Sequence, residues 1–168
     1  MKIFIIGCGR ILQKHLDSIK ILGNKLEIVG VSDLKKSRLK NTAKKLNTSK
    51  FSNYIDGIKK TNPDIVSILT PSGFHAKHII DVLKLKKNVI VEKPMCLKIS
   101  DGKKIITLAK KNKKRVFVVM QNKFNLPVLK LRNDIEKLKF GNIFHSSVIV
   151  RWRRDQKYYD NDSWRGTW

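Results

Sequence analysis

Short apolar runs alternate with apolar positions at helical spacing through most of this chain. Ile3-Phe4-Ile5-Ile6 has the length of a buried strand. From Arg10 onward, Ile11, Leu12, Leu16, Ile19 and Leu22 recur with the period of a helix. Leu26 to Ser32 is a second strand, ending at Asp33, and Leu39, Ala43 and Leu46 mark one face of a helix over 35–46. Lys50-Phe51 is a short third strand, followed by a helix through Tyr54, Ile55 and Ile58. Ile65 to Leu69 is a fourth strand, apolar enough to be central, with a helix beginning near His75. Asn88 to Val91, a helix over 101–112 and Val116 to Val119 continue the series. Such alternation predicts an α/β fold, a doubly wound parallel sheet with helices on both faces.

The pattern changes after Met120-Gln121-Asn122. One helix is predicted over 125–139, with Leu126, Val128, Leu129, Ile135 and Leu138 as its apolar members. Gly141-Asn142 makes a turn, and Ile143 to Trp152 reads as one long strand. A polar, aromatic stretch then runs to Trp164-Arg165-Gly166-Thr167-Trp168. The expected organisation is a sheet domain over residues 1–122 and the beginning of a second domain over 123–168.

Composition narrows the function classes. No apolar run approaches the roughly 18 residues of a membrane span, and the four apolar residues before Gly7 are too few for a signal-peptide core. Cys8 and Cys96 stand in no metal or redox spacing and read as packing residues of a reducing compartment, so the expected location is cytoplasmic. The net charge of +24 admits nucleic-acid binding. Against it, the lysines are spread over every helix and are not interleaved with aromatics, the pattern of solvated helix faces.

The first strand runs into Gly7-Cys8-Gly9 and then a helix, the arrangement that places a dinucleotide pyrophosphate on free helix N–H groups. Gly7 permits a tight turn, and Gly9 lets the backbone approach phosphates. Leu12 stands where a third glycine would complete the fingerprint. Asp33, 24 residues past Gly9, is placed to accept from both hydroxyls of an adenosine ribose, which favours NAD over NADP. It also suits a capping role for the next helix, and Lys35, Lys36 and Arg38 nearby suit a 2′-phosphate. His75 and His78 lie three apart on one helix, but no third ligand accompanies them and no metal is expected. His15 and His78 read as packing or surface residues.

With these residues in place the sequence resembles the Gfo/Idh/MocA oxidoreductases. Gly7-Cys8-Gly9-Arg10-Ile11 through His15, Thr70-Pro71-Ser72-Gly73-Phe74-His75, Glu92-Lys93-Pro94 and Gln121-Asn122-Lys123-Phe124-Asn125 carry the resemblance. The tail, Arg151-Trp152-Arg153-Arg154 to Tyr158-Tyr159-Asp160 and on to Trp168, is similar to the branch that oxidises the sugar 3-hydroxyl of UDP-N-acetylglucosamine or its uronate. The resemblance implies a Rossmann domain followed by a second α/β domain on a mostly antiparallel sheet that also forms subunit interfaces, hence a homo-oligomer at full length. It implies NAD as cofactor, with Gly7, Gly9, Arg10 and Ile11 around the pyrophosphate and Asp33 and Arg38 at the adenosine. Thr70, Pro71 and His75 would line the cofactor cleft, and Glu92 and Lys93 would reach the nicotinamide ribose. Lys93 would also meet the substrate hydroxyl as the catalytic cation, aimed by an often cis peptide before Pro94. Asn125, which also suits a helix cap, and Arg153 and Tyr158 would face the sugar nucleotide.

The family's second catalytic segment, with an aspartate and a histidine, has no counterpart in these residues. The resemblance therefore implies the N-terminal half of a dehydrogenase acting on a sugar or nucleotide sugar. A non-catalytic NAD(H)-binding module or subunit is the alternative.

Overall fold

The computed structural model describes residues 1–160. Its chain forms two compact units, Met1–Val119 and a second beginning at Met120.

The first unit alternates strand and helix as the apolar pattern requires: β1 (Lys2–Ile6), α1 (Leu12–Ile21), β2 (Glu27–Ser32), α2 (Lys36–Leu46), β3 (Lys50–Phe51), α3 (Tyr54–Thr61), β4 (Ile65–Ile68), α4 (Ser72–Lys84), β5 (Asn88–Val91), α5 (Ile99–Lys111) and β6 (Val116–Val118). All adjacent strands pair in parallel, in the order β3-β2-β1-β4-β5-β6. That order reverses direction between β1 and β4, so a crevice opens at their carboxyl ends, where sheets of this kind bind ligands.

Two apolar layers enclose the sheet. Phe4, Ile6, Val66, Ile68, Val89 and Val91 pack with Ile58, Ile79, Val82, Leu83 and Ile105 of α3, α4 and α5. Ile5, Val31 and Leu69 pack with Leu12 of α1, Leu39 and Ala43 of α2, and Cys8. Leu12, in the place of the fingerprint's third glycine, is thus a core residue of the second layer. A Cβ at Gly57 or Gly30 would come within 2.6 or 2.8 Å of the Phe4 ring, so the absence of two side chains makes the slot that Phe4 fills.

Some boundaries differ from those expected. α4 starts at Ser72, ahead of His75, because Pro71 at the N-cap has the extended backbone that opens a helix, and its carbonyl accepts from the Phe74 N–H at 3.0 Å. α1 starts at Leu12, after a turn in which the Leu12 N–H donates to the Gly9 carbonyl at 3.1 Å.

The second unit has a 3-10 turn over Gln121–Phe124, α6 (Leu126–Glu136) and α7 (Gln156–Asp160). α6 is shorter than the helix expected over 125–139. Leu138 and Gly141 take positive φ angles of 54° and 58°, which an α-helix cannot accommodate. The long strand expected over 143–152 is not formed: among the described residues these pair with no other segment. Apolar content alone does not make a strand, because the ladder's N–H and C=O groups need a neighbour. The second-domain sheet that the resemblance implies is accordingly not seen among the described residues. Trp164-Arg165-Gly166-Thr167-Trp168 lies outside them.

Candidate cofactor site

Three loops at the carboxyl edge of the sheet build the site. The first follows β1. Gly7 sits at φ +100°, and a Cβ there would lie 2.8 Å from the backbone carbon and oxygen of Leu69. Only glycine permits this contact between the turn and the end of β4. The Gly7 N–H donates to the Ser32 carbonyl at 2.7 Å, binding the turn to β2 as well. Two residues on, a Cβ at Gly9 would meet no protein atom within 4 Å. The protein's own packing does not require glycine there; a ligand against the backbone would. Arg10 and Ile11 are exposed beside it, and the first turn of α1 holds no acidic residue to occupy its N–H groups.

Asp33 follows β2 and bonds both this turn and the entry of α2. Its Oδ2 accepts from the Cys8 N–H at 2.7 Å and its Oδ1 from the Lys35 N–H at 2.6 Å. The second bond closes an Asx turn ahead of α2, whose N-cap is Lys35. Asp33 therefore shapes the helix entry without being the cap, and a carboxylate oxygen that accepts one bond can still accept another. Arg38 is exposed in the first turn of α2. Burial pushes the Cys8 thiol up to about 11, so it packs as a thiol and is no nucleophile.

The second loop, Thr70-Pro71, follows β4. The Thr70 hydroxyl meets His78 Nδ1 at 3.0 Å. His78 lies against Tyr54 edge-on, at a centroid distance of 4.8 Å, and is stacked with Phe74 at 6.0 Å. Burial, with the Lys77 charge adding to it, lowers this imidazole to about 4, so the ring that orients Thr70 is neutral.

Glu92-Lys93-Pro94 is the third loop, with a cis Lys93–Pro94 peptide. His75 joins it to the second. Its Nδ1 lies 2.6 Å from the Pro94 carbonyl oxygen and its Nε2 2.7 Å from that of Thr70. Both ring nitrogens thus face carbonyls of the two loops. His75 is 1% exposed, which leaves neither nitrogen for a ligand: it braces the cleft from behind. Lys93 is exposed at the tip of the loop.

Glu92 closes the ring of contacts back to α1. Its Oε1 lies 2.8 Å from His15 Nε2, across 77 positions of sequence. Burial pushes the Glu92 carboxyl up, but His15 and the Lys93 backbone N–H and ammonium outweigh it, and the net shift is downward. The carboxylate is the form present at neutral pH. His15 was not among the residues the sequence marked for the site. Its signal is faint: it stands three residues from the buried Leu12, at the edge of α1's core stripe, where a half-buried polar group needs a partner.

The glycine turn, Asp33, Thr70-Pro71 and Glu92-Lys93 thus converge on one end of the sheet, within the first unit. Asn125, Arg153 and Tyr158 belong to the second unit and are exposed. Asn125 is the N-cap of α6 with no capping bond from its side chain. Arg153 offers its carbonyl to Arg154, whose guanidinium lies over the Tyr158 ring at 4.6 Å.

Known proteins share this fold. The chain is 33% identical to a dehydrogenase, WlbA, from Bordetella pertussis, solved with NADH and UDP-GlcNAcA, and superposes on it with a TM-score of 0.94 over 98% of this chain and 50% of that one. WlbA from Chromobacterium violaceum, solved with the same two ligands, gives 33% identity and a TM-score of 0.96 over 100% and 49%. Among curated relatives, myo-inositol 2-dehydrogenase of Thermotoga maritima is 28% identical over 142 residues, 84% of this chain and 42% of its own length. D-glucoside 3-dehydrogenase of Escherichia coli is 27% identical over 145 residues, 86% and 41%. The chain therefore spans about two fifths of these curated relatives and about half of the solved dehydrogenases. Residues 1–120 match the Gfo/Idh/MocA family, described as an oxidoreductase family with an NAD-binding Rossmann fold, and the chain belongs to it.

Proposed function

We propose that the carboxyl edge of this sheet binds NAD, and that the chain supplies the cofactor half of a dehydrogenase that moves a hydride between the nicotinamide and a secondary hydroxyl of a sugar or nucleotide sugar. The observation that carries the reading is the convergence of three loops, distant in sequence, around an open glycine. Gly7, Gly9, Arg10 and Ile11 would receive the pyrophosphate at the start of α1, where the helix dipole favours an anion. Asp33, held by two backbone N–H groups, would accept from the adenosine ribose hydroxyls and repel a 2′-phosphate, with Arg38 beside the adenosine. Thr70 and Pro71 would form the cleft wall, with His75 behind it. Glu92 would accept from the nicotinamide-side ribose.

When bound, NAD supplies the hydride acceptor. The rest falls to side chains. Oxidation of the carbinol also requires its hydroxyl proton to pass to a general base, which the family carries in its second catalytic segment. The Lys93 ammonium would stabilise the negative charge that this proton loss leaves on the oxygen, from which the carbonyl forms as the hydride departs. His75, bonded to the carbonyl of Pro94, keeps the Lys93 loop against the wall formed by Thr70. A nucleotide-sugar substrate is supported by the 33% identity to two dehydrogenases solved with UDP-GlcNAcA, and Arg153, Tyr158 and Asn125 are then the substrate-side residues. The same reading divides the protein after residue 122, makes the second domain the oligomer interface of the full-length form, and sets it in the cytoplasm, where Cys8 and Cys96 stay free thiols. Among the described residues no helix is long and apolar enough to cross a membrane.

Titration with NADH and NADPH, followed by nicotinamide fluorescence, tests the reading. Saturable binding of NADH is expected, with NADPH weaker by about tenfold or more, since a phosphate beside a carboxylate costs on the order of 1–2 kcal/mol. Asp33→Ala should narrow that ratio. Absence of NADH binding would overturn the proposal.

A further inference from the structure

The two carboxylates of the site are held by different means. Asp33 is fixed by backbone N–H groups of its own and the neighbouring turn. Glu92 accepts from the Lys93 backbone N–H and, unlike Asp33, also meets a side chain from another element, His15 of α1. That pair is largely enclosed, with side-chain exposures of 16% and 14%, and so differs from the solvated pairs that contribute little. A glutamate side chain left to itself samples many rotamers, and fixing one at the moment of binding costs affinity. His15 Nε2 does this beforehand, on the oxygen 2.8 Å away. Because α1 begins at the glycine turn, the same bond ties the helix that would receive the pyrophosphate to the carboxylate that follows β5.

We propose that His15 is a positioning residue. It holds the Glu92 carboxylate in the orientation that meets the nicotinamide-side ribose, and it makes the seat of the pyrophosphate and the seat of that ribose one rigid unit. This rests on the placement of Glu92 given above.

The test uses His15→Gln, His15→Asn and Glu92→Gln in the 168-residue chain, each titrated with NADH and with ADP, which lacks the nicotinamide-side ribose. Both replacements of His15 are polar and of similar bulk, so neither empties the site. Glutamine carries its amide nitrogen out to the Nε2 position and can donate to Glu92, whereas asparagine stops at the Nδ1 position. Expected is a five- to tenfold weakening of NADH by His15→Asn, about the value of one immobilised side chain. ADP binding should stay within about twofold, and His15→Gln should restore most of the NADH affinity. Adding His15→Asn to Glu92→Gln should weaken NADH no further, because the two act through one bond. Equal weakening of NADH and ADP would overturn the proposal, leaving His15 as a support of α1 alone. So would full NADH affinity in His15→Asn while Glu92→Gln binds weakly. If Glu92→Gln itself binds NADH as the wild type does, the placement of Glu92 fails, and this proposal fails with it.

Discussion

Phe4 and Phe144 are the same side chain put to opposite uses. Phe4 is fully buried in β1, in a slot left by Gly30 and Gly57, with the Phe51 ring 5.8 Å away. Phe144, in the second unit, is 94% exposed, and Val148 beside it 88%. The contrast extends to the units. Each apolar strand of the sheet meets a helix that covers it, whereas neither α6 nor α7 buries a single residue. Helical spacing of apolar residues forms α6 as readily as α3, but stabilisation comes from the surface such a face is pressed against. The first unit holds its own partners in sequence; the second presents its apolar side chains to solvent.

The largest effect that contrast predicts is in the core. Phe4→Ala should cost about 3–5 kcal/mol of unfolding free energy, read from urea denaturation by circular dichroism, because neighbouring strands cannot collapse into the space of a ring. A loss under about 1 kcal/mol would mean that the Gly30–Gly57 slot is not rigid and would break the comparison.

Legibility in the sequence divides along the same line. Runs such as Ile65 to Ile68 need only be apolar and short to be read as strands, and the order of motifs then fixes a parallel sheet. The glycine turn was legible because backbone geometry demands glycine at Gly7, Asp33 was marked by its distance from the turn, and Glu92-Lys93-Pro94 by the resemblance to a family. What the sequence did not reveal depends on distance in space. His15 meets a carboxylate 77 positions away, and His75 spends both nitrogens on carbonyls of two loops. The segment over 143–152 has the composition of a strand, but a strand exists only beside another, and no sequence window contains that condition.

Within the first unit the contrast of filled and open positions recurs between Gly7 and Gly9. A side chain at Gly7 collides with Leu69, while one at Gly9 meets nothing of the protein. Gly9→Val should therefore weaken NADH by about a hundredfold, roughly 2.7 kcal/mol, while the unfolding free energy moves by less than about 0.5 kcal/mol. Gly7→Ala should instead lower stability and binding together. If Gly9→Val destabilised the fold as Gly7→Ala does, the open face of the turn would be a packing feature and not a cofactor seat.

Titration separates the units as well. His78 is lowered to about 4 chiefly by burial, whereas Asp134 is lowered by bonds from the exposed Lys139 and Lys130. For His78 the sign is definite. Between about 4 and the ordinary 6.5 the unfolded ring binds a proton that the folded ring refuses. Its contribution is whole above about 6.5 and is lost as pH falls toward 4, at up to about 1.4 kcal/mol per pH unit. His78→Asn, which can keep a bond to Thr70, should flatten that slope in denaturation measured from pH 7 to 4.5. The His78 contribution should persist in about 0.5 M salt, since the cause is desolvation, while any contribution of Asp134 should fade with screening.

The smallest effect falls where exposure is greatest. Phe144→Ser and Val148→Ser should each change the unfolding free energy by less than about 0.5 kcal/mol, because neither side chain leaves water when the chain folds. Their influence lies between molecules. Ile149, Val150 and Trp152 are exposed on the same segment, and exposed apolar side chains in such numbers drive association. Sedimentation of the double variant should show less concentration-dependent self-association than the wild type, with the NADH affinity unchanged. A fall in stability comparable to that of Phe4→Ala would mean that these residues are covered in solution, and the second unit would then be folding around a core of its own.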